Sequence, residues 1–290
     1  MDMRISSARV GEKLGTIETE LTPRRLLAYS AGLELGDDCY LDDARPGGAE
    51  MMPAMCAAVE WPLADGVRIS ELIGVTLAQY RKVGVHAEQD SRYHRPPRMG
   101  ETLTTTGWLE VLRQTRAGVL MTCRYDTVDR EGAPVFTSYN SGMLRGWELD
   151  RPRAGDSDAG ALQPVALDEG QAAKTDVPVA RHLPHIYSEG GPIWNPIHTE
   201  RLVALAADLP DIILHGSATW ALAMDRVIRA HAGGDPRRLK RFACRFTGMV
   251  IPGETITVRH RAAGDGIEFD TVNADGRPVL SCGVAELHSV

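Results

Sequence analysis

The pentapeptide Gly100-Glu101-Thr102-Leu103-Thr104 returns as Gly253-Glu254-Thr255-Ile256-Thr257, and each copy is followed by a second shared landmark. Asp126-Thr127-Val128 leads to Gly132-x-Pro134-Val135, and Asp270-Thr271-Val272 leads to Gly276-x-Pro278-Val279. Two ordered matches of this kind constrain the chain to two copies of one folding unit. Between its landmarks the first copy carries nine more residues, 26 from Gly100 to Asp126 against 17 from Gly253 to Asp270. At 290 residues the chain has room for two such units, since domains commonly run to about 100–150 residues.

Each copy ends in strands. In the first, 103–111, 118–127 and 134–144 are β-rich, with a polar turn at 113–116 and Asp129-Arg130-Glu131-Gly132 as another. In the second, 255–262, 266–272 and 278–287 follow in the same order, with Asn273-Ala274-Asp275-Gly276 as the matching turn. A helical part precedes the strands: 53–64 is the candidate in the first copy and 217–232 in the second. In the latter, Trp220, Ala221, Met224, Val227 and Ile228 form one apolar stripe, Ser217 is the expected N-cap, and Gly233-Gly234 the expected stop. A short helix is expected over 199–207. The pattern alone defines an α+β fold. The tract 150–176 is poor in aromatic residues and rich in Asp, Ala, Gly and Pro. It divides the chain into an N-terminal module (1–150), a linker (151–172) that crosses the surface, and a C-terminal module (173–290).

The composition, 43% hydrophobic and 24% charged, is that of a globular protein. A net charge of −7 argues against general nucleic-acid binding, yet leaves room for a local basic patch facing an anionic ligand. No stretch approaches the ~18–20 apolar residues of a membrane helix, and the first residues show no apolar secretory core. Five scattered cysteines without metal spacing read as reduced thiols in a cytoplasmic protein, and no metal site is expected.

The chemistry-bearing residues cluster in the second copy. Asn195-Pro196-Ile197-His198 sets an imidazole on a proline-stiffened turn. His215-Gly216 opens the main helix, where a glycine leaves a backbone N–H accessible and the helix dipole favours negative charge. A capping or surface histidine competes with this reading, but the pairing of motifs favours an acid/base group beside an oxyanion donor. The first copy has neither motif. Its stretch from Tyr29 towards Pro53 lacks polar chemistry, so one site per chain is expected, with the first copy supplying walls. Motifs of P-loop nucleotide enzymes, Gly-x-Ser-x-Gly hydrolases and His-Glu-x-x-His peptidases are absent.

The stretch Asn195-Pro196-Ile197-His198 with His215-Gly216 resembles the signature of the MaoC-like dehydratases, the hydratase-2 family of R-specific enoyl-CoA hydratases. The resemblance implies a tandem (double) hot-dog fold, each module an antiparallel sheet wrapped around a central helix. It implies reversible hydration of a 2-enoyl thioester to a 3-hydroxyacyl thioester, carried on CoA or an acyl-carrier protein, with no cofactor. It assigns His198 as acid/base group, Gly216 N–H as thioester-oxygen donor and Asn195 as a brace. Trp194, Ile193, His215 and Ser217 would line the substrate. One position departs from the family: where its catalytic aspartate stands, five residues before the histidine, this chain has Ile193. Glu189 is the nearest upstream carboxylate and the candidate substitute acid. The alternatives are a thioesterase on the same fold and a non-catalytic acyl-thioester binder. Arg237, Arg238, Lys240 and Arg241 are candidate phosphate contacts, with a solvated charge run as the competing reading. His86, Glu88 and Asp90 alternate and so share one strand face, either a polar site or, the favoured reading, an exposed face of the strand that begins the first copy's meander. Edge strands left by two modules point to a homodimer.

Overall fold

The strands that carry the architecture are β1 (Lys13–Glu20), β2 (Gly84–Tyr93), β3 (Thr102–Thr115), β4 (Gly118–Val128) and β5 (Pro134–Arg145), then β6 (Ala173–Pro178), β7 (Leu239–Phe246), β8 (Thr255–Ala263), β9 (Gly266–Val272) and β10 (Pro278–Leu287). The computed structural model describes residues 3–167, 170 and 172–289, so 168, 169 and 171 of the expected linker lie outside the described residues. Among these residues the strands form one antiparallel sheet in the order β1-β3-β4-β5-β2-β7-β10-β9-β8-β6, with the short strand Arg153–Ala154 added beside β3. From either outer edge to the centre, the order within a half is first, third, fourth, fifth, second. The two halves therefore share one topology and meet at β2 and β7.

The repeated sequence landmarks occupy matching places. Gly100 and Gly253 take φ of +83° and +103° just before β3 and β8, and Gly132 and Gly276 take +81° and +75° in the turns before β5 and β10. These are backbone angles that glycine tolerates and side chains resist. The nine extra residues of the first copy lie in its hairpin: β3 has 14 residues against 9 in β8, and β4 has 11 against 7 in β9. That longer hairpin has its own apolar cover. Ile69, Leu72 and Ile73 of a short helix (Val67–Ile73) share a buried cluster with Leu109, Leu112, Val119 and Met121 of the hairpin.

Helix α1 (Pro23–Gly32) follows β1, and α2 (Cys56–Ala64) is the first half's inner helix. Their counterparts are α3 (Leu183–Gly190) and α5 (Gly216–His231), with the short α4 (Arg201–Ala206) between. Helix α5 begins at Gly216 with His215 as N-cap, two residues before its expected cap Ser217, and no side chain caps it. The first amide is thereby left open. Gly234 closes the other end by donating its N–H to the Ile228 carbonyl at 3.2 Å, both Gly233 and Gly234 having positive φ. The apolar stripe of α5 is buried on the sheet: Trp220 meets Phe242 edge-on at 5.9 Å, and Phe242 stacks on Phe269 at 4.2 Å. Burying each such side chain stabilises the fold by about 1.5–3 kcal/mol.

The halves are joined again where α1 crosses α3. A Cβ on Gly190 would stand 2.4 Å from the Ala28 carbonyl oxygen, and one on Gly32 would stand 3.1 Å from the Ile186 carbonyl oxygen. Only glycines allow the two backbones this close. The linker straps the outer face: Ser157 donates to Glu110, Arg92 donates to the Asp158 carbonyl, and Leu162 packs with Ala243 and Cys282. Since α3 leads directly into the loop that carries Asn195 and His198, Gly190→Ala is expected to force the helices apart. The destabilisation should be about 1–3 kcal/mol, read as a lower Tm or denaturation midpoint.

Candidate active site

The loop after α3 turns at Asn195. Its side chain accepts the Ile197 N–H at 3.4 Å and Pro196 fixes the next φ, so residues 196–198 form a single 3-10 turn. This holds His198 at the turn's end. Its Nδ1 lies 2.9 Å from the Ile213 carbonyl oxygen, which can only accept, so Nδ1 carries the proton and Nε2 presents a bare lone pair. Burial pushes the His198 pKa down to about 4, partly opposed by that carbonyl, so the ring is neutral at physiological pH.

His198 stacks on His215, with ring centroids 3.8 Å apart. His215 is 2% exposed, and its Nε2 lies 3.2 Å from the Ile193 carbonyl and 3.1 Å from Ser188 Oγ. Burial, reinforced by His198, pushes its pKa down to about 2. It is a packing and orienting group that holds the next residue, Gly216. Among the described residues the Gly216 N–H has no hydrogen-bond partner. Ser217 is engaged elsewhere, accepting from the Tyr187 hydroxyl at 3.0 Å. A base lone pair and a free helix N-terminal amide thus stand on one rigid assembly, the pair of groups that chemistry beside a carbonyl requires.

The expected exposed face of β2 needs correction. Glu88 and Asp90 do face outward, paired with Arg245 and Arg241 of β7. His86 does not join them. A bulge between His86 and Glu88 breaks the alternation and turns the His86 ring inward. There it packs at a tilt on Phe246, ring centroids 4.1 Å apart, and a Cβ on Gly216 would stand 3.3 Å from the Phe246 ring and 3.8 Å from His86 Nδ1. The first module therefore supplies polar chemistry as well as walls. Behind His86 runs a buried chain: Gln89 at 3.1 Å, then Ser91 at 3.0 Å, then Ser138 at 2.9 Å. No alternation argument finds His86, because the bulge is the signal and it is set by tertiary pairing.

The other expected residues are distributed unevenly. Ile193 is buried in the main apolar core, only its carbonyl reaching His215. A carboxylate substituted there would enter an apolar setting at considerable cost, which makes Ile193→Asp a poor restoration. Glu189, the expected substitute acid, is exposed on α3. Trp194 is 50% exposed at the loop's outer edge. The basic cluster is largely neutralised at home: Arg237 pairs with Asp235, Lys240 with Glu286, and Arg241 with Asp90 and Glu286. Arg238 is half-buried. That pairing weakens the phosphate-binding expectation. Among the described residues no cluster of three metal-ligating side chains occurs, and no helix is long and apolar enough to cross a membrane.

Glu60, on α2, is 2% exposed, and burial raises its pKa to about 8, opposed only by Ser138. A carboxyl whose folded pKa exceeds its unfolded value of about 4.5 is neutral without penalty in acid. It then costs stability progressively as pH rises from about 4.5 towards 8. Glu60→Gln should leave Tm unchanged near pH 4 and raise it near pH 8, flattening the pH–Tm curve measured by calorimetry.

Residues 166–279 match the family model described as MaoC like domain. A probable enoyl-CoA hydratase 2 of Dictyostelium discoideum is 26% identical over 301 residues, covering 97% of this chain and 96% of that protein. A fatty acid synthase subunit beta of Aspergillus oryzae is 42% identical over 76 residues, which is 26% of this chain and only 4% of that relative. Among solved structures, a MaoC-like dehydratase from Phytophthora capsici superposes with a TM-score of 0.82 at 20% identity over 97% of both chains. A Mycobacterium tuberculosis protein described as a double hot-dog fold gives 0.60 at 18% identity over 96% of each. The chain carries a MaoC-like dehydratase domain in its second half, and its fold is the double hot-dog.

Proposed function

We propose that this protein catalyses the reversible hydration of a 2-enoyl thioester to a 3-hydroxyacyl thioester. The observation that carries the reading is the adjacency of a neutral His198 with a bare Nε2 and the unpartnered Gly216 N–H, held together by the stacked His215. The hydratase name of the full-length Dictyostelium relative supports the same class.

The Gly216 amide holds the thioester oxygen, where negative charge grows as water adds to C3, and the helix dipole stabilises it. His198 Nε2 takes a proton from that water as its oxygen bonds to C3. The imidazolium so formed is a strong acid, because burial opposes its charge, and it returns the proton to C2 of the enolate. One group thus serves both transfers and water is consumed with no other reactant. No cofactor enters, and CoA or a phosphopantetheine arm is the substrate's carrier. Asn195 keeps the turn in place. The chain works as a homodimer in this reading, which static light scattering at micromolar concentration checks directly.

Crotonyl-CoA supplies the test. Wild type should consume the enoyl absorbance, and His198→Ala should lower kcat by about 10²–10⁴-fold with Tm nearly unchanged. Release of free thiol without loss of the enoyl group would favour a thioesterase. Thermal stabilisation by the thioester with neither reaction would favour a binder. The pH profile gives a second check. His198 must be neutral to act as base and its pKa sits at about 4. So kcat/KM should hold through pH 6 and fall only as pH approaches 4, whereas an unshifted histidine would start losing activity near 6.5.

A further inference from the structure

In the hydratase reading, a water that attacks C3 must be aimed, and aiming needs an acceptor for each of its two O–H groups. His198 Nε2 supplies one. Ile193 can supply none from its side chain, and Glu189 is exposed. Tyr187 donates its hydroxyl proton to Ser217. Glu60 lies at the far end of the buried chain beyond Ser138.

We propose that His86, from the N-terminal module, is a second catalytic group: its Nδ1 accepts one O–H of the attacking water while His198 takes the other. The inference rests on the hydratase reading of the site and adds the acceptor that the chain's departure at Ile193 removes. Three observations carry it. The His86 ring is turned into the site by the β2 bulge and clamped on Phe246. Its Nδ1 stands 3.8 Å from the place a Gly216 side chain would begin, beside the amide that receives the thioester oxygen. Its tautomer is fixed from behind. Gln89 Oε1 accepts both from Asn140 at 3.1 Å and from His86 Nε2 at 3.1 Å, while the Gln89 amide nitrogen donates to Ser91. With the proton on Nε2, Nδ1 is the lone-pair nitrogen. Burial pushes the His86 pKa down to about 4, partly opposed by the Gln89 side chain and the Glu88 backbone carbonyl, so the ring is neutral at physiological pH. His86 receives a hydrogen bond and no proton, so the stoichiometry of hydration is unchanged.

Two substitutions separate the acceptor from the ring. His86→Phe keeps an aromatic face for Phe246 and removes the acceptor. His86→Asn gives up the ring and places an amide oxygen near the Nδ1 position. Crotonyl-CoA hydration is measured together with binding of 3-hydroxybutyryl-CoA, whose hydroxyl takes the place of the water, against butyryl-CoA, which lacks it. Phe should lower kcat by about 100-fold, with little change in KM or Tm, and abolish any preference for the hydroxylated thioester. Asn should retain much of both. The inference is overturned if the Phe variant keeps kcat and the preference, or if Asn is no better than Phe. Should His198→Ala lose hydration while His86→Phe does not, the hydratase reading stands and this one falls. A wild type that neither hydrates crotonyl-CoA nor distinguishes the two saturated thioesters would end both.

Discussion

Strands β2 and β7 pair antiparallel at the centre of the sheet, and the rest of the structure depends on that junction. Backbone pairing there runs from Arg241 opposite Arg92 to Arg245 opposite Glu88. On its outer face Arg241 holds Asp90 through two hydrogen bonds of 2.8 and 2.9 Å, and Arg245 holds Glu88. Asp90 is almost fully buried, so separating it from its arginine would strand a charge, the costly case for a buried pair. The bidentate geometry also pins register, which a strand can otherwise lose by slipping one residue. Register here decides which side chains look inward: Gln89 and Ser91 from one half, Phe242 and Phe246 from the other.

The junction also explains why the site draws on both modules. Helix α5 points its open end at the place where the last residue of β7, Phe246, meets the first turns of β2, where His86 sits. Burial then sets the electrostatics. His86, His198 and His215 all lose pKa chiefly to desolvation, so the site gathers three neutral imidazoles rather than an ion pair. Neutral rings leave the positive end of the helix dipole as the charged feature of this place.

The corresponding place in the first half is closed. At the start of α2 the Tyr93 hydroxyl donates to the Pro53 carbonyl at 3.0 Å, and Cys56 lies 3.5 Å from the same hydroxyl. The Cys56 N–H that opens α2 is taken by the Pro53 and Ala54 carbonyls of the preceding 3-10 turn. The two halves share one topology, and among the described residues the open helix end belongs to the second. The longer first hairpin adds a separate apolar cluster, so the module without the open end is the larger structural body.

Sequence alone determined much of this. The doubled GETxT and DTV…G-x-PV landmarks set the two-fold repeat, because positive-φ turns at Gly100, Gly132, Gly253 and Gly276 demand the same residues wherever the same hairpin recurs. The i, i+4, i+7 stripe of α5 and the Asn-Pro brace at His198 were equally legible, being local effects of periodicity and backbone restriction. The limits of the strands that end each half came within a few residues for the same reason. What tertiary structure alone decided lies where local rules are broken. The bulge that inverts His86 lies in the pairing of β2 with β5, a strand distant in sequence. The withdrawal of Ile193 into the core follows from packing between the halves. The pairing of Arg237, Lys240 and Arg241 with carboxylates distant in sequence, Glu50, Asp90 and Glu286, is tertiary too, and no spacing rule reports which distant carboxylate a chain will bring to an arginine.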